Sequence, residues 1–184
     1  MGKSRKYKIM KIEKEKIKEW LKNKDNLILI LVISVAIIIR LYYFFLTLNQ
    51  PLWWDEADYM MMSKSIASNI EYKFDPVRPV LFSIINGVVF KITGYNEFFP
   101  RLLLLIMSVL VVIYTYLLGK SIYNEKVGLI AASIMTFIPI VLFFSIRLLV
   151  DLPSLCFFVI SAYYFHEYIK TKNKNKLYIG FIIA

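Results

Sequence analysis

The chain has 184 residues, of which 59% are hydrophobic, 16% aromatic and only 20% charged, and its formal net charge is +10. A water-soluble domain of this length cannot bury so many apolar side chains, and a disordered chain does not contain them. The charge does not indicate a nucleic-acid partner, because residues 1–26 alone hold 10 of the 23 Lys and Arg residues. The predicted fold class is therefore all-α, a polytopic helical bundle in a membrane.

Long apolar runs follow the basic segment 1–26. A helix needs about 17–25 residues to cross a bilayer, and four runs meet this length. Because the sequence reaches Ala184 inside an apolar run, we expect a missing C-terminal portion or a partner chain. The predicted spans are 27–48, 98–118, 127–146 and 152–169, with a fifth beginning at 177–184.

The short apolar run 79–90 decides the predicted orientation of the chain. It has 12 residues, too few to span, so we predict an interfacial or re-entrant segment. Lys and Arg accumulate in cytoplasmic loops, which places segment 1–26 in the cytoplasm. If 79–90 does not span, the lysine-rich stretch 170–176 also lies inside. Residues 49–97 then form one outer loop with interfacial helices, in which Met60 faces lipid.

The outer loop carries the sequence Trp-Trp-Asp-Glu-Ala-Asp-Tyr at 53–59. Asp55 and Glu56 are candidate catalytic acids, since a carboxylate here can take a proton from a nucleophile or bind a divalent cation. Alternatively, Asp55 caps a helix that begins here and Glu56 favours its dipole. Trp54 and Tyr59 are the aromatic residues that we assign to a substrate cavity.

Two further segments place charged residues at the same predicted face. Prolines on both sides of Arg78 hold the backbone extended and present the guanidinium near the lipid headgroups. A guanidinium suits bidentate contact with phosphate, although an arginine that binds ordinary headgroups has the same pattern. Arg147 and Asp151, at i and i+4 between two spans, either form a weak ion pair, or Asp151 lines a cavity at the start of its span.

Few residues could hold a metal or a cofactor. The chain has one histidine and one cysteine, so a zinc site of the usual kind is not expected. A glycine-rich phosphate loop is not found in the sequence. We assign no metal ligands and no definite cofactor, and whether a divalent cation binds stays open.

Several short motifs occur along the chain in a fixed order. After the motif at 53–59 come Arg-Pro-x-Leu at 78–81, then Gly94 with Asn96 and Arg101, Tyr-x-Leu-Gly-Lys at 116–120, Gly-Leu-Ile-Ala-Ala at 128–132, Pro139, and Arg-x-x-x-Asp-x-Pro at 147–153. This order resembles the polyprenyl-phosphate-dependent glycosyltransferases of the C-type membrane fold. They include the dolichyl-phosphate-mannose protein mannosyltransferases and the lipid A aminoarabinose transferases.

The resemblance implies a multi-pass enzyme of the cell membrane. Such an enzyme moves a sugar from a polyprenyl-phosphate donor to a protein, lipid or glycan acceptor on the extracytoplasmic face. The resemblance implies catalytic roles for Asp55 and Asp151, to which we add Glu56. It implies contact between Arg78 and the donor phosphate, to which we add Arg147. Family members are several hundred residues long, so the resemblance covers an N-terminal portion.

Two other functions stay open. The chain could be a non-catalytic membrane subunit, or a truncated remnant, that binds a lipid carrier, with its acids acting as caps and interface residues. A transporter has less support, because transporters carry polar residues and broken helices at mid-membrane. Most charges in this chain lie instead at a predicted boundary of the membrane.

Overall fold

The computed structural model describes residues 15, 18–72 and 77–184, so most of the predicted basic segment 1–26 lies outside the described residues. Within them the chain is helical and has no strand, which confirms the all-α prediction. The helices are α1 (Lys24–Thr47), α2 (Trp54–Ser68), α3 (Leu81–Thr93), α4 (Phe98–Ile122), α5 (Glu125–Phe137), α6 (Pro139–Phe144), α7 (Asp151–Thr171) and α8 (Lys174–Ile183).

Two helices of the described chain, α1 and α4, are long and apolar enough to cross a membrane. They coincide, to within a few residues at each end, with the runs predicted at 27–48 and 98–118. The short run at 79–90 becomes α3, which is apolar but has only 13 residues. The bundle therefore contains helices suited to a bilayer, and the number of crossings stays a prediction.

The apolar run at 127–146 is divided into α5 and α6 rather than forming one helix. Ile138 separates them with an extended backbone, φ −62° and ψ 120°. Pro139 causes the break, because its ring disfavours a helical conformation at the preceding residue and its nitrogen carries no hydrogen. The carbonyl of Met135, four residues before the proline, consequently loses its helical partner.

Arg40 of α1 supplies the missing donor at this break. Its Nη2 donates to the Met135 carbonyl at 3.2 Å, and its Nη1 donates to the Thr136 carbonyl at 3.5 Å. The side chain is buried, with 1% of its surface exposed. A charged residue inside an apolar helix thus stabilises the end of a neighbouring helix instead of facing lipid.

The helices α2 and α3 form a hairpin whose apolar face is part of the protein core. Tyr59 and Met60 from α2 and Phe82 and Phe90 from α3 are buried in one cluster with residues of α4, α6 and α7. Met60, which the sequence led us to place against lipid, is fully buried in this cluster. The core contacts hold the hairpin against the bundle.

The bundle has two polar ends. At one end Arg101, near the start of α4, donates to the carbonyl of Gln50 at 3.0 Å. At the other end the Ser121 hydroxyl, near the end of α4, donates to a Glu167 carboxylate oxygen at 2.5 Å. The helices α4 and α7 therefore run in the same direction, and the segments that precede them lie at one end of the bundle.

Gly119 of α4 and Gly128 of α5 bring the two helices into close contact. A Cβ on Gly128 would lie 2.6 Å from the carbonyl oxygen of Tyr116. We expect Gly128→Ala to lower the free energy of unfolding by about 1–3 kcal/mol, because the backbone of α4 has to move. Gly180→Ala is the milder comparison, since its Cβ would have no neighbour closer than 3.3 Å. Denaturant unfolding in detergent measures both, and equal losses would contradict this account.

Candidate active site

Arg78 and Asp55 lie in contact at the start of α2. The Arg78 Nη2 donates to Asp55 Oδ1 at 2.8 Å, and it lies 3.2 Å from Asp58 Oδ2. The side chains of Asp55, Asp58 and Arg78 are 58%, 35% and 27% exposed. Two residues that the sequence singled out, 23 positions apart, thus form one charged group open to the surface.

Two tyrosines support this group. The Arg78 guanidinium lies over the ring of Tyr59, with 5.5 Å between Cζ and the ring centroid. The Tyr72 hydroxyl donates to Asp58 Oδ1 at 3.0 Å. The hydrogen bond to Asp55 raises the pKa of Arg78, and burial together with the hydrogen bond to Asp58 raises the pKa of Tyr72. Arg78 therefore stays cationic, and Tyr72 stays a hydrogen-bond donor, throughout the physiological pH range.

Glu56, the neighbour of Asp55, has no exposed surface. Its Oε2 accepts from the Trp53 N–H at 2.7 Å, which is the capping contact at the N-terminus of α2. Its Oε1 accepts from the Leu148 N–H at 2.8 Å. The capping role considered for Asp55 thus belongs to Glu56, which also joins α2 to the connection between α6 and α7.

Arg147 completes the buried contact around Glu56. Its Nη1 lies 3.5 Å from Glu56 Oε2, and the residue is 5% exposed. The guanidinium stacks on Trp53, with Cζ 3.4 Å from the ring centroid. The described contacts of Arg147 do not include an ion pair with Asp151, because residues 145–150 are not helical and the i, i+4 spacing is lost.

Asp151 occupies a different position at the same end of the bundle. It is the first residue of α7 and is exposed. It lies on the wall of a cavity of about 220 Å³ between α6 and α7. The other lining residues are apolar, namely Ile140, Val141, Phe144, Leu152 and Leu155. The contacts of the described residues do not join Asp151 to Asp55 or Arg78.

The two aromatic residues assigned to the substrate cavity differ in exposure. Trp54 is 85% exposed beside Asp55, whereas Tyr59 is 6% exposed. The Tyr59 ring also packs edge-on against Phe82, with 6.2 Å between centroids. Trp54 is therefore accessible to a ligand, whereas Tyr59 contributes to the site by packing its ring against the Arg78 guanidinium.

Metal binding has no preformed cluster in the part of the chain that the structure describes. No three His, Cys, Asp or Glu side chains are grouped there as ligands of one ion. The carboxylates of Asp55 and Asp58 are both directed at Arg78 rather than at a shared open position.

Reasoning from sequence missed Asp58 and Tyr72 as members of the site. The i, i+3 spacing of Asp55 and Asp58 was a usable signal, because residues at this spacing lie on one face of a helix. Tyr72 had no such signal, since its contact with Asp58 connects the chain beyond α2 back to that helix.

The sequence was also compared with families and with individual proteins. A family model described as dolichyl-phosphate-mannose-protein mannosyltransferase matches residues 77–184. The chain belongs to this family. These proteins are membrane glycosyltransferases of the C-type fold, which confirms the resemblance drawn from the motifs. The comparisons with curated proteins and with solved structures gave no match.

The matched part of this mannosyltransferase-family chain contains Arg78 and Asp151 but not Asp55 or Glu56. The structure connects the two parts directly. Asp55 contacts Arg78 at 2.8 Å, and Glu56 accepts from the Leu148 N–H at 2.8 Å. Asp55 and Glu56 are therefore packed against the region that defines the family.

Proposed function

We propose that this chain serves a membrane enzyme that moves a sugar from a polyprenyl-phosphate donor to a protein, lipid or glycan acceptor. The observation that carries the proposal is the 2.8 Å contact between Arg78 and Asp55 in a member of a sugar-transferring family. A permanent cation suits the phosphate of such a donor. A carboxylate beside it can take the proton of the acceptor.

The proposed setting is the extracytoplasmic face of the cell membrane. Support comes from the apolar helices α1 and α4, and from the contacts that gather the charged residues of the outer loop at one end of the bundle. A donor with a long isoprenoid chain would reach Arg78 by moving laterally within the bilayer. The proposed topology has 1–26 in the cytoplasm, spans at 27–48, 98–118, 127–146 and 152–169, a fifth from 177–184, and the outer loop at 49–97.

Asp55 is the proposed general base. It accepts the proton of the attacking hydroxyl or amine as the acceptor atom bonds to the anomeric carbon of the sugar. The bond from that carbon to the phosphate oxygen breaks, and the polyprenyl phosphate leaves with the electron pair on that oxygen. The charge of Arg78 stabilises the leaving phosphate. More than half of the Asp55 side chain is exposed, so an acceptor can approach it.

The other sequence-predicted residues have proposed roles that follow their positions. Glu56 and Arg147 are buried against each other, which favours holding the start of α2 over direct contact with the donor. Asp151 is proposed as a second acid on the wall of a substrate cavity. Trp54 is the proposed aromatic contact with substrate, and Tyr59 supports the guanidinium above its ring.

Arg78→Gln tests the proposed contact with the donor. We expect the affinity for dolichyl-phosphate mannose to fall roughly 10- to 100-fold, because a hydrogen bond to a charged group contributes about 1.5–3 kcal/mol. The measurement is a titration of radiolabelled dolichyl-phosphate mannose into phosphatidylcholine vesicles that contain the unchanged protein or the variant.

Lys91→Gln is the matched control, because it removes the same charge from an exposed position on α3. Equal affinities for the two variants would contradict the role of Arg78. Binding of the donor without transfer of its sugar, in membranes that contain acceptors, would favour the non-catalytic subunit over the enzyme.

A further inference from the structure

We propose that Asp58 is a positioning residue that holds Arg78 in place for the donor phosphate, an inference that rests on the proposed function. Asp55 and Asp58 share the guanidinium of Arg78, but their surroundings differ. Asp58 therefore holds the cation in position, and Asp55 stays available to accept a proton from the acceptor.

The geometry places both carboxylates at the same nitrogen of Arg78. Nη2 lies 2.8 Å from Asp55 Oδ1 and 3.2 Å from Asp58 Oδ2. A guanidinium has five N–H donors, and Nη2 carries two of them. The donors on Nη1 and Nε lie outside these two contacts, so a phosphate can bind Arg78 while Asp58 keeps its contact.

Asp58 is the better anchored of the two carboxylates. Its side chain is 35% exposed, whereas that of Asp55 is 58% exposed. Its second oxygen, Oδ1, accepts from the Tyr72 hydroxyl at 3.0 Å. Asp58 therefore contacts both Tyr72 and Arg78, which precede and follow residues 73–76 in the chain. These two contacts fix Tyr72 and Arg78 to α2.

Loss of Asp58 leaves Asp55 as the carboxylate partner of Arg78 among the described residues. Asp55 would then have to hold the cation and accept a proton from the acceptor. A long side chain that loses an anchor regains rotamer freedom, and ordering it again weakens each binding event. The expected consequence is weaker donor binding, although removal of a negative charge would by itself favour binding of a phosphate.

The test compares Asp58→Asn, Asp58→Glu and Glu71→Gln in phosphatidylcholine vesicles, with dolichyl-phosphate mannose as the probe. Glu71 is an exposed acid next to Tyr72, so its variant controls for the charge change. We expect Asp58→Asn to weaken donor affinity about tenfold, and Asp58→Glu to recover most of the loss because it keeps the carboxylate. Glu71→Gln should leave donor affinity unchanged or slightly higher.

A double-mutant cycle with Arg78→Gln separates positioning from a general structural effect. If Asp58 acts through Arg78, then Asp58→Asn will cause no further loss of donor affinity in the Arg78→Gln background. An additional tenfold loss there, or equal affinities for Asp58→Asn and Glu71→Gln, would overturn the inference alone. If the unchanged protein binds neither dolichyl-phosphate mannose nor any other polyprenyl-phosphate-linked sugar, the proposed function is overturned, and this inference with it.

Discussion

Exchange of Asp55 for Asn is expected to abolish sugar transfer while the protein stays folded in the membrane. Asn keeps the size of the side chain and an oxygen that can accept from Arg78, but it cannot take a proton from the acceptor. Loss of a general base typically lowers a rate by about 10²–10⁴-fold. The measurement is transfer of labelled sugar from dolichyl-phosphate mannose into acceptors, in membranes that contain the unchanged protein or the variant.

Glu71→Gln is the control for this experiment, because it removes an exposed carboxylate from the segment between α2 and α3. Donor affinity should change little in Asp55→Asn, since Arg78 retains Asp58 as its anchor. Transfer by Asp55→Asn at the rate of the Glu71→Gln protein would remove Asp55 from the catalytic role.

Exchange of Glu56 for Ala is expected to give the largest loss of stability. The variant leaves the charge of Arg147 buried without its carboxylate, and leaves the N–H groups of Trp53 and Leu148 without their acceptor. Breaking a buried ion pair on one side lowers the free energy of unfolding by about 3–5 kcal/mol. Denaturant unfolding in detergent, followed by circular dichroism, measures the loss.

Glu125→Ala is the matched comparison for this loss. Glu125 pairs with Lys120 at 2.7 Å, but the lysine side chain is 45% exposed. A partly exposed pair of this kind contributes only about 0–1 kcal/mol. The hydrogen bond that Glu125 also accepts from the Tyr116 hydroxyl at 2.9 Å adds about 1.5 kcal/mol, so the expected loss is still smaller than for Glu56→Ala. The loss of unfolding free energy for Glu56→Gln should lie between the losses for the two alanine variants, because the amide oxygen can still accept one of the two N–H hydrogen bonds. Equal losses for Glu56→Ala and Glu125→Ala would show that the buried contact does not hold α2.

The polar residues of the site could be predicted from sequence in part. The motif at 53–59 and the proline-flanked Arg78 identified both partners of the ion pair. That both lie on the outer side of the membrane stays a prediction from the charge distribution along the chain. Their contact could not be predicted, because it depends on how α2 and α3 pack against the bundle. Residues with identical local patterns can differ once that packing forms. Asp55 and Glu56 both occupy the first turn of α2, yet one is exposed and the other is fully buried.

The break at Pro139 shows the same limit at the level of the fold. The sequence identified the proline within the run 127–146, but length and hydropathy alone favoured a single helix. Arg40 lies 96 residues from Thr136, and only the packing of α1 against α5 brings it to the released carbonyls. A charge that hydropathy treats as a penalty thus stabilises the discontinuity.

The measurement that tests the central claim most directly is an assay of which donor supplies the transferred sugar. Membranes that contain the unchanged protein are supplied with a panel of labelled polyprenyl-phosphate-linked sugars, or with the corresponding nucleotide sugars. Formation of lipid carriers from the nucleotide sugars is blocked. We predict that label moves to acceptors from at least one polyprenyl-phosphate-linked sugar, and that Asp55→Asn stops this movement. Movement of label from nucleotide sugars alone, or from none of the panel, would contradict the account.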